Sequence, residues 1–254
     1  MSSLAGRHVV VTGASSGIGR AIAVQLAGEG ALVSLLARRV EGLAETSRLA
    51  AGSVGFRCDV ADRAAVDAAF LAAAERFGPV HGLVAAAGIG GPNRGGAGDR
   101  FDELVATNLT GAYNAVRAAE RHLADAPARR HFIVISSILG RFGVPGYTGY
   151  CASKAAVLGM VRAFALELAP RGVLVNAICP GWVDTDMAWE GIEGMAKGMG
   201  ISRDEAHRMA MSAVPLGRMG TPEEIAGLVS WLFSPAAACF TGQGIDINGG
   251  AWMG

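Results

Sequence analysis

The 254-residue sequence lacks the features that direct a chain to nucleic acids, membranes or the cell exterior. It has 22 basic and 22 acidic residues, so it has no net charge with which to attract nucleic acid or an anionic membrane. Its nine prolines exclude a collagen-like chain. The four cysteines are scattered without a Cys-x-x-Cys pair, and the N-terminus does not have the pattern of a secretory signal. We therefore expect reduced thiols and a cytoplasmic protein.

Long hydrophobic runs and metal-binding clusters are also scarce. The longest uncharged stretch extends from Ile225 to Ile245, but Pro235, Gly242 and Gly244 interrupt it. It predicts a buried helix followed by a turn and a strand, not a membrane span. The five histidines show no metal-ligand spacing, so we expect no metal site.

Short β-branched and apolar runs alternate with alanine-rich stretches of helical spacing. This alternation predicts an α/β fold, a single domain over residues 1–254 with a doubly wound, Rossmann-type parallel sheet of about seven strands. The predicted strands are His8–Thr12, Ala31–Ala37, Val54–Arg57, His81–Ala86, Phe132–Ser137, Val173–Ile178 and Gly244–Ile247. The predicted helices are Gly17–Ala27, Arg63–Arg76, Leu109–Leu123, Tyr150–Leu168 and Pro222–Phe233. The Met- and Gly-rich segment 184–212 is too long for a simple connection and predicts a helical lid above the sheet.

A glycine-rich turn separates the first predicted strand from the first predicted helix. Glycines at such a turn let the backbone approach a dinucleotide pyrophosphate, and the helix N-terminus offers it free N–H groups. The spacing G-x-x-x-G-x-G differs from the commoner G-x-G-x-x-G pattern. The candidate cofactor-binding residues in the turn are Gly13, Ser15, Ser16, Gly17, Ile18 and Gly19.

A tyrosine and a lysine stand four residues apart at the start of a predicted helix, so Tyr150 and Lys154 share one helix face. Lys154 is one of only two lysines in the chain, and an arginine would not provide the same compact ammonium group. We expect the cation to lower the pKa of the phenol towards the range of an acid–base catalyst.

Ser137 ends the fifth predicted strand, thirteen residues before Tyr150. Open α/β sheets bind their ligands at this edge, where a serine hydroxyl can donate a hydrogen bond to a substrate carbonyl. The neighbouring Ser136 is expected to face the opposite way.

Five motifs, in order along the chain, resemble those of the short-chain dehydrogenase/reductase superfamily. They are T-G-A-S-S-G-I-G at 12–19, N-L-T-G at 108–111, I-S-S at 135–137, Y-C-A-S-K at 150–154 and P-G-W-V-D-T at 180–185. The resemblance implies a nicotinamide cofactor and hydride transfer to or from a carbonyl. It implies catalytic roles for Asn108, Ser137, Tyr150 and Lys154, with Asn108 holding a water that links the lysine to solvent. It further implies cofactor contacts by Tyr150 and Lys154 and by Asp59, Val60, Ala87, Gly88, Pro180, Gly181, Val183 and Thr185.

The second strand ends in Ala37-Arg38-Arg39, without the carboxylate that would bind the ribose of NAD. A guanidinium group suits a phosphate dianion, so Arg38 and Arg39 favour NADP(H), while NAD(H) stays open. The superfamily usually has an Asn pair where this chain has Ala85-Ala86, which leaves a backbone group in need of another partner.

The stretch from Trp182 to Met211, which includes most of the lid segment, carries five of the nine methionines and two of the four tryptophans, which predicts either a roomy apolar pocket or the core of short lid helices. Lys197, Arg203 and Arg208 either meet a substrate phosphate or form a solvated face. The resulting hypothesis is an NADP(H)-dependent reductase of a small-molecule ketone, either a 3-oxoacyl or a bulky apolar or cyclic one. The alternatives are an NAD-dependent dehydrogenase of a secondary alcohol or hydroxyacyl-CoA, and a catalytically silent dinucleotide-binding or partner subunit. The resemblance also implies a homo-oligomer, a dimer or tetramer.

Overall fold

The computed structural model describes residues 4–93, 95–125 and 130–254. Its centre is a parallel sheet of seven strands in the order β3-β2-β1-β4-β5-β6-β7. The strands are β1 His8–Thr12, β2 Leu32–Ala37, β3 Ser53–Arg57, β4 Gly82–Ala85, β5 Arg130–Ile135, β6 Val173–Pro180 and β7 Gly244–Ile247. The order reverses between β1 and β4, as in a doubly wound fold, and the predicted fold class is confirmed.

Helices cover the sheet on both faces. The α-helices are α1 Gly17–Gly28, α2 Val40–Leu49, α3 Arg63–Phe77, α4 Phe101–Val105, α5 Gly111–Arg121, α6 Thr148–Leu168, α7 Asp186–Met199, α8 Arg203–Ser212 and α9 Pro222–Phe233. A π-helical turn, Ala106–Thr110, joins α4 to α5. The prediction of one helix from Leu109 to Leu123 was therefore wrong at its start, and α2 was not predicted.

Two apolar layers hold the helices on the sheet. On one face, Phe70 of α3, Val116 of α5 and Phe164 of α6 share a buried cluster with Phe132 of β5. On the other face, residues of α1 and α9 pack together against β1, β2 and β4. The near-continuous apolar strands therefore arise because both faces of the sheet are covered.

The predicted insertion 184–212 contains α7 and α8. Their facing residues form a third apolar cluster that includes Ile192, Ala206 and Met211. Met195 packs against this cluster, whereas Met187, Met199 and Met209 are exposed. Met195 and Met211 therefore belong to the core of the lid helices, which is one of the two predicted environments.

The long uncharged run behaves as predicted. It contributes most of α9, which ends at Phe233, and it enters β7 at Gly244. Within the described residues, no helix is both long enough and apolar enough to cross a bilayer.

Parallel strands place their carboxyl ends at one edge of the sheet. The glycine turn after β1, Arg38 and Arg39 after β2, Gly88 after β4 and Ser137 after β5 all lie at this edge. The chain leaves β5 two residues earlier than predicted, since Ser137 caps a short 3-10 helix, Ile138–Gly140.

Candidate active site

The glycine turn is tightly packed. Gly13 and Gly17 have φ values of +68° and +52°, which favour glycine. A methyl group on Gly13 would lie 2.7 Å from Ala87 Cα, and one on Gly19 would lie 2.4 Å from Gly13 O. Glycine at these positions therefore lets the turn pack closely on the segment after β4 and on itself, and Ile18 packs behind it against the buried cluster of α1 and α9.

A cleft of about 660 Å³ opens beside this turn. Ser15, Ser16 and Gly17 line one side, Arg39 another, and Asp184–Asp186 a third. The Arg39 guanidinium donates to Ser16 Oγ at 2.6 Å, so its charge lies directly on the turn. Arg38 instead faces Asp59 at 4.0 Å, and both side chains are largely exposed. Of the two predicted arginines, only Arg39 lines the cleft.

The segments after β3 and β4 meet the turn and α5. Asn114 Nδ2 donates to Val60 O at 3.0 Å, and Asp59 Oδ1 accepts from Ala61 N. The backbone N–H of Ala87 donates to Thr12 Oγ1 at 3.1 Å. This threonine provides a partner for a backbone group beside the Ala85-Ala86 pair, where the superfamily usually has asparagines.

Ser137 and Tyr150 meet at the carboxyl edge of the sheet, where the Ser137 side chain acts on the Tyr150 phenol and opposes the rise in its pKa. The Oγ of Ser137 also accepts from Leu139 N at 3.1 Å, which orients its hydroxyl. Ser136 points elsewhere and donates to Lys154 O at 2.8 Å, so its predicted opposite orientation is confirmed.

Lys154 is buried next to this pair. Its Nζ donates to Ile135 O at 2.9 Å and lies 5.7 Å from the centroid of the Tyr150 ring. Only 5% of the residue is exposed, and burial lowers the pKa of the ammonium to about 8. The site therefore holds a cation at a considerable desolvation cost.

The pKa of Tyr150 departs from the sequence-based expectation. Burial raises the pKa of the phenol, and the hydrogen bond with Ser137 opposes that rise only in part. Because the Lys154 ammonium is directed at a backbone carbonyl, it does not lower the pKa as expected. The expected direction was wrong, since spacing along a helix gives proximity but not the extent of burial.

Asn108 lies in the π-helical turn and is buried. Its side chain bonds both backbone groups of Ile89, accepting from N at 2.9 Å and donating to O at 3.0 Å. A methyl group on Gly88 would lie 3.2 Å from Asn108 Oδ1 and 3.5 Å from Lys154 Nζ. Asn108 and the lysine therefore face the same small space beside Gly88, and π-helical turns are frequent at such functional sites.

The segment after β6 forms the far wall of the cleft. Pro180 is the last residue of β6, and Gly181 packs so closely on Asn248 that a methyl group would lie 3.0 Å from its Cα. Val183 pairs with Gly220 in an isolated bridge. Thr185 caps α7, and its Cγ2 lies 3.2 Å from the position of a methyl group on Gly17, which joins this wall to the glycine turn.

Two buried or closely packed residues near the site were not predicted. Asn93 accepts from Gly149 N at 2.7 Å at the start of α6, so it helps to fix the helix that carries Tyr150. Met187, at the start of α7, lies against Gly90: a methyl group there would be 3.0 Å from its Sδ and 4.0 Å from Tyr150 Cε2. Both contacts join segments distant in the sequence, and no motif indicates them.

Of the three cations predicted either to meet a substrate phosphate or to form a solvated face, Arg203 has protein partners, and Lys197 and Arg208 are exposed. Arg203 stacks on Trp189 at 4.3 Å and lies 3.8 Å from Glu193. Trp189 Nε1 in turn donates to Asp184 Oδ1 at 2.6 Å. Lys197 is exposed on α7 and Arg208 on α8. Arg203 is therefore engaged within the lid.

Comparison with known proteins identifies the class. Residues 13–251 match the family described as enoyl-(acyl carrier protein) reductase. The chain is 37% identical over 250 residues to a 3-oxoacyl-[acyl-carrier-protein] reductase of Mycobacterium tuberculosis, covering 98% of this chain and 94% of that protein. It is 37% identical over 254 residues to one of Vibrio harveyi, covering 99% of each. The chain belongs to the short-chain dehydrogenase/reductase superfamily and is an oxidoreductase of that class.

Solved structures agree with this class. An actinorhodin polyketide ketoreductase variant with NADPH superimposes with a TM-score of 0.89 at 36% identity, over 96% of this chain and 97% of its own. Levodione reductase superimposes with a TM-score of 0.88 at 30% identity, over 97% of this chain and 98% of its own. The predicted superfamily is confirmed.

Proposed function

We propose that this enzyme uses NADPH to reduce a ketone to a secondary alcohol, with a 3-oxoacyl thioester or a bulky apolar or cyclic ketone as its substrate. The observation that carries the proposal is the meeting of Ser137 and Tyr150, with Lys154 buried beside them, at the edge of the sheet that bears the glycine turn. The named relatives reduce 3-oxoacyl groups, and one structural neighbour holds NADPH.

The residues around the cleft fit a phosphorylated dinucleotide. The turn brings Ser15, Ser16 and Gly17 to the cleft, where their N–H groups can bind a pyrophosphate, and the Arg39 guanidinium offers a fork of donors to a ribose phosphate. Pro180, Gly181, Val183 and Thr185 would border the nicotinamide, and Asp59 and Val60 the adenine. When bound, NADPH supplies the hydride for the carbonyl carbon.

The side chains of the site would handle the oxygen and its proton. Ser137 and Tyr150 donate hydrogen bonds to the carbonyl oxygen, which stabilises negative charge as it develops there. Tyr150 then gives its proton to that oxygen. Its raised pKa keeps the phenol protonated at neutral pH, which is the form that a reduction requires. Lys154 and Asn108, which face the same small space beside Gly88, support delivery of a new proton to Tyr150.

Replacement of the phenol hydroxyl tests this assignment. We expect Tyr150→Phe to lose nearly all NADPH oxidation with an acetoacetyl thioester or a bicyclic ketone, while it still binds NADPH. Tyr113→Phe is the matched control, because Tyr113 is exposed on α5, where its ring packs against Phe164. Full activity of Tyr150→Phe would refute the role of Tyr150. Faster turnover with NADH than with NADPH would favour the NAD-dependent alternative.

We also propose that copies of the chain associate in the cytoplasm. The alanine-rich helices α5 and α6 expose Tyr113 and Leu166, the latter 80% accessible, which supports packing between copies. The four free cysteines support a reducing compartment. Light scattering of the wild type and of Leu166→Glu tests the association, and a monomeric wild type would refute it.

A further inference from the structure

Helix α2 lies directly on the glycine turn, through residues one helical turn apart. A methyl group on Gly42 would be 2.7 Å from Ser15 O and 2.8 Å from Ser15 Cβ, so the helix backbone touches the turn. Four residues later, the fully buried Thr46 places its hydroxyl 2.8 Å from Ala14 O. The contact face of α2 is therefore one glycine and one threonine.

The Thr46 hydroxyl is held between several groups. It is shared between Ala14 O and Gly42 O, the latter at 2.9 Å, and it accepts from Arg20 Nε at 3.1 Å. Arg20 extends from α1 and donates through Nη2 to Ser15 O at 2.7 Å. The same Nη2 lies 2.7 Å from Glu45 Oε2, which fixes the guanidinium against α2. Thr46 thus donates to the Ala14 carbonyl and Arg20 to the next carbonyl of the turn, that of Ser15.

Binding these carbonyls also fixes donors of the turn. The C=O and N–H of a planar trans peptide unit point in opposite directions. An Ala14 carbonyl held by Thr46 therefore sets the direction of the Ser15 N–H, and a Ser15 carbonyl held by Arg20 sets that of the Ser16 N–H. Those N–H groups belong to the turn that lines the proposed cofactor cleft.

We propose that Thr46 is a positioning residue that holds the glycine turn ready for the dinucleotide pyrophosphate, assisted by Arg20, which bonds the next carbonyl of the turn and also lines the cleft. The proposal rests on the proposed use of a nicotinamide dinucleotide. Thr46 does not touch the cofactor; it keeps the turn in the one conformation that binds it. Without the hydroxyl, a smaller fraction of molecules has a competent turn, and the apparent affinity falls by that fraction.

The pyrophosphate is common to NADH and NADPH, and this provides a distinctive test. Thr46→Val keeps the shape of the side chain and removes the hydroxyl. We expect it to raise the Kd of both nucleotides by the same factor, about tenfold, with kcat at saturating NADPH changed by less than about twofold. Thr46→Ser, which restores a hydroxyl, should bind both nucleotides within about threefold of the wild type.

Arg39→Ala is the matched control, because its guanidinium bonds a side chain of the turn, Ser16 Oγ, and not a turn carbonyl, and would meet the phosphate that distinguishes NADPH. It should weaken NADPH binding and leave NADH binding almost unchanged. Gly42→Ala gives a second approach, since alanine favours the helix but its methyl group would push α2 off the turn. It should weaken both nucleotides, as Thr46→Val does.

Titration of nucleotide fluorescence gives the Kd values, and urea unfolding without nucleotide gives the stability of each variant. The proposal is refuted if Thr46→Val binds nucleotide like the wild type, if Thr46→Ser is equally impaired, or if only NADPH binding falls. It is also refuted if the affinity loss follows a general loss of stability across the variants. If the wild type binds neither nucleotide, the proposed function itself fails, and that outcome is distinct from the others.

Discussion

The burial of Lys154 has a calculable consequence for stability. Its pKa is about 8 in the folded chain, against 10.5 for a free lysine. One pKa unit corresponds to about 1.4 kcal/mol, so at pH 7 keeping this ammonium buried costs about 3 kcal/mol. The hydrogen bond to Ile135 O, which is worth about 1 kcal/mol, would be lost with the side chain. We therefore expect Lys154→Met to raise the free energy of unfolding at pH 7 by about 2 kcal/mol, while it abolishes turnover.

The dependence on pH distinguishes this effect from a change in packing. Between about pH 8 and pH 10.5 the unfolded chain keeps a proton on Lys154 that the folded chain gives up. Stability of the wild type should therefore rise with pH in that window, relative to the variant. The gain in unfolding free energy of Lys154→Met over the wild type should shrink by about 2 kcal/mol between pH 7 and pH 9.5. At about pH 9.5 the two proteins should be almost equally stable.

Urea unfolding of ligand-free protein at several pH values measures the difference in unfolding free energy at pH 7 and its change with pH. The only other lysine of the chain, Lys197, is exposed on α7 and provides the control. Lys197→Met should differ from the wild type by less than about 0.5 kcal/mol at every pH. A Lys154→Met variant that is less stable than the wild type at pH 7, or a stability difference that does not change with pH, would refute the reasoning.

Three further predictions follow from other contacts. Burial lowers the pKa of His8 below 6.5, so the wild type should lose stability as the pH falls from 6.5 to 5, and His8→Gln should lose less in urea unfolding. Gly13→Ala should abolish NADPH binding in a fluorescence titration, because its methyl group would lie 2.7 Å from Ala87 Cα; normal binding would contradict the packing described for the turn. Met187→Ala should improve kcat/KM for bulky ketones relative to an acetoacetyl thioester by about tenfold, since the Met187 thioether and the Tyr150 ring both lie against Gly90; an unchanged ratio would exclude Met187 from the substrate pocket.

The strands and the order of the site motifs could be predicted because they depend on local pattern. Apolar runs such as His8–Thr12 are buried on both faces, and this makes them visible without knowledge of the neighbours. Helix α2 was missed because its sequence combines Gly42 with Thr46 and Ser47, residues of low helix propensity. Its packing on the glycine turn, a tertiary contact, stabilises it instead.

In the candidate site, too, the features set by local sequence could be predicted and those set by tertiary contacts could not. The spacing of Tyr150 and Lys154 placed both side chains in one region, but the direction of the phenol pKa depends on burial by distant segments. Asn93 and Met187 reach the site across long sequence separations, so no local pattern indicates them. Thr12 likewise compensates for the missing asparagines from a different strand.

The segment above the sheet has its own apolar interior, made by Ile192, Ala206, Met211 and their neighbours on α7 and α8. Because these side chains pack mainly on one another, their identities can change without disturbing the layers around the sheet. With this segment in its proposed role as a substrate lid, substrate preference and the hydride-transfer machinery can diversify separately. A graft of residues 187–212 from a related reductase should carry its substrate preference into this chain, and it keeps Asp184, Thr185 and Asp186, which line the dinucleotide cleft.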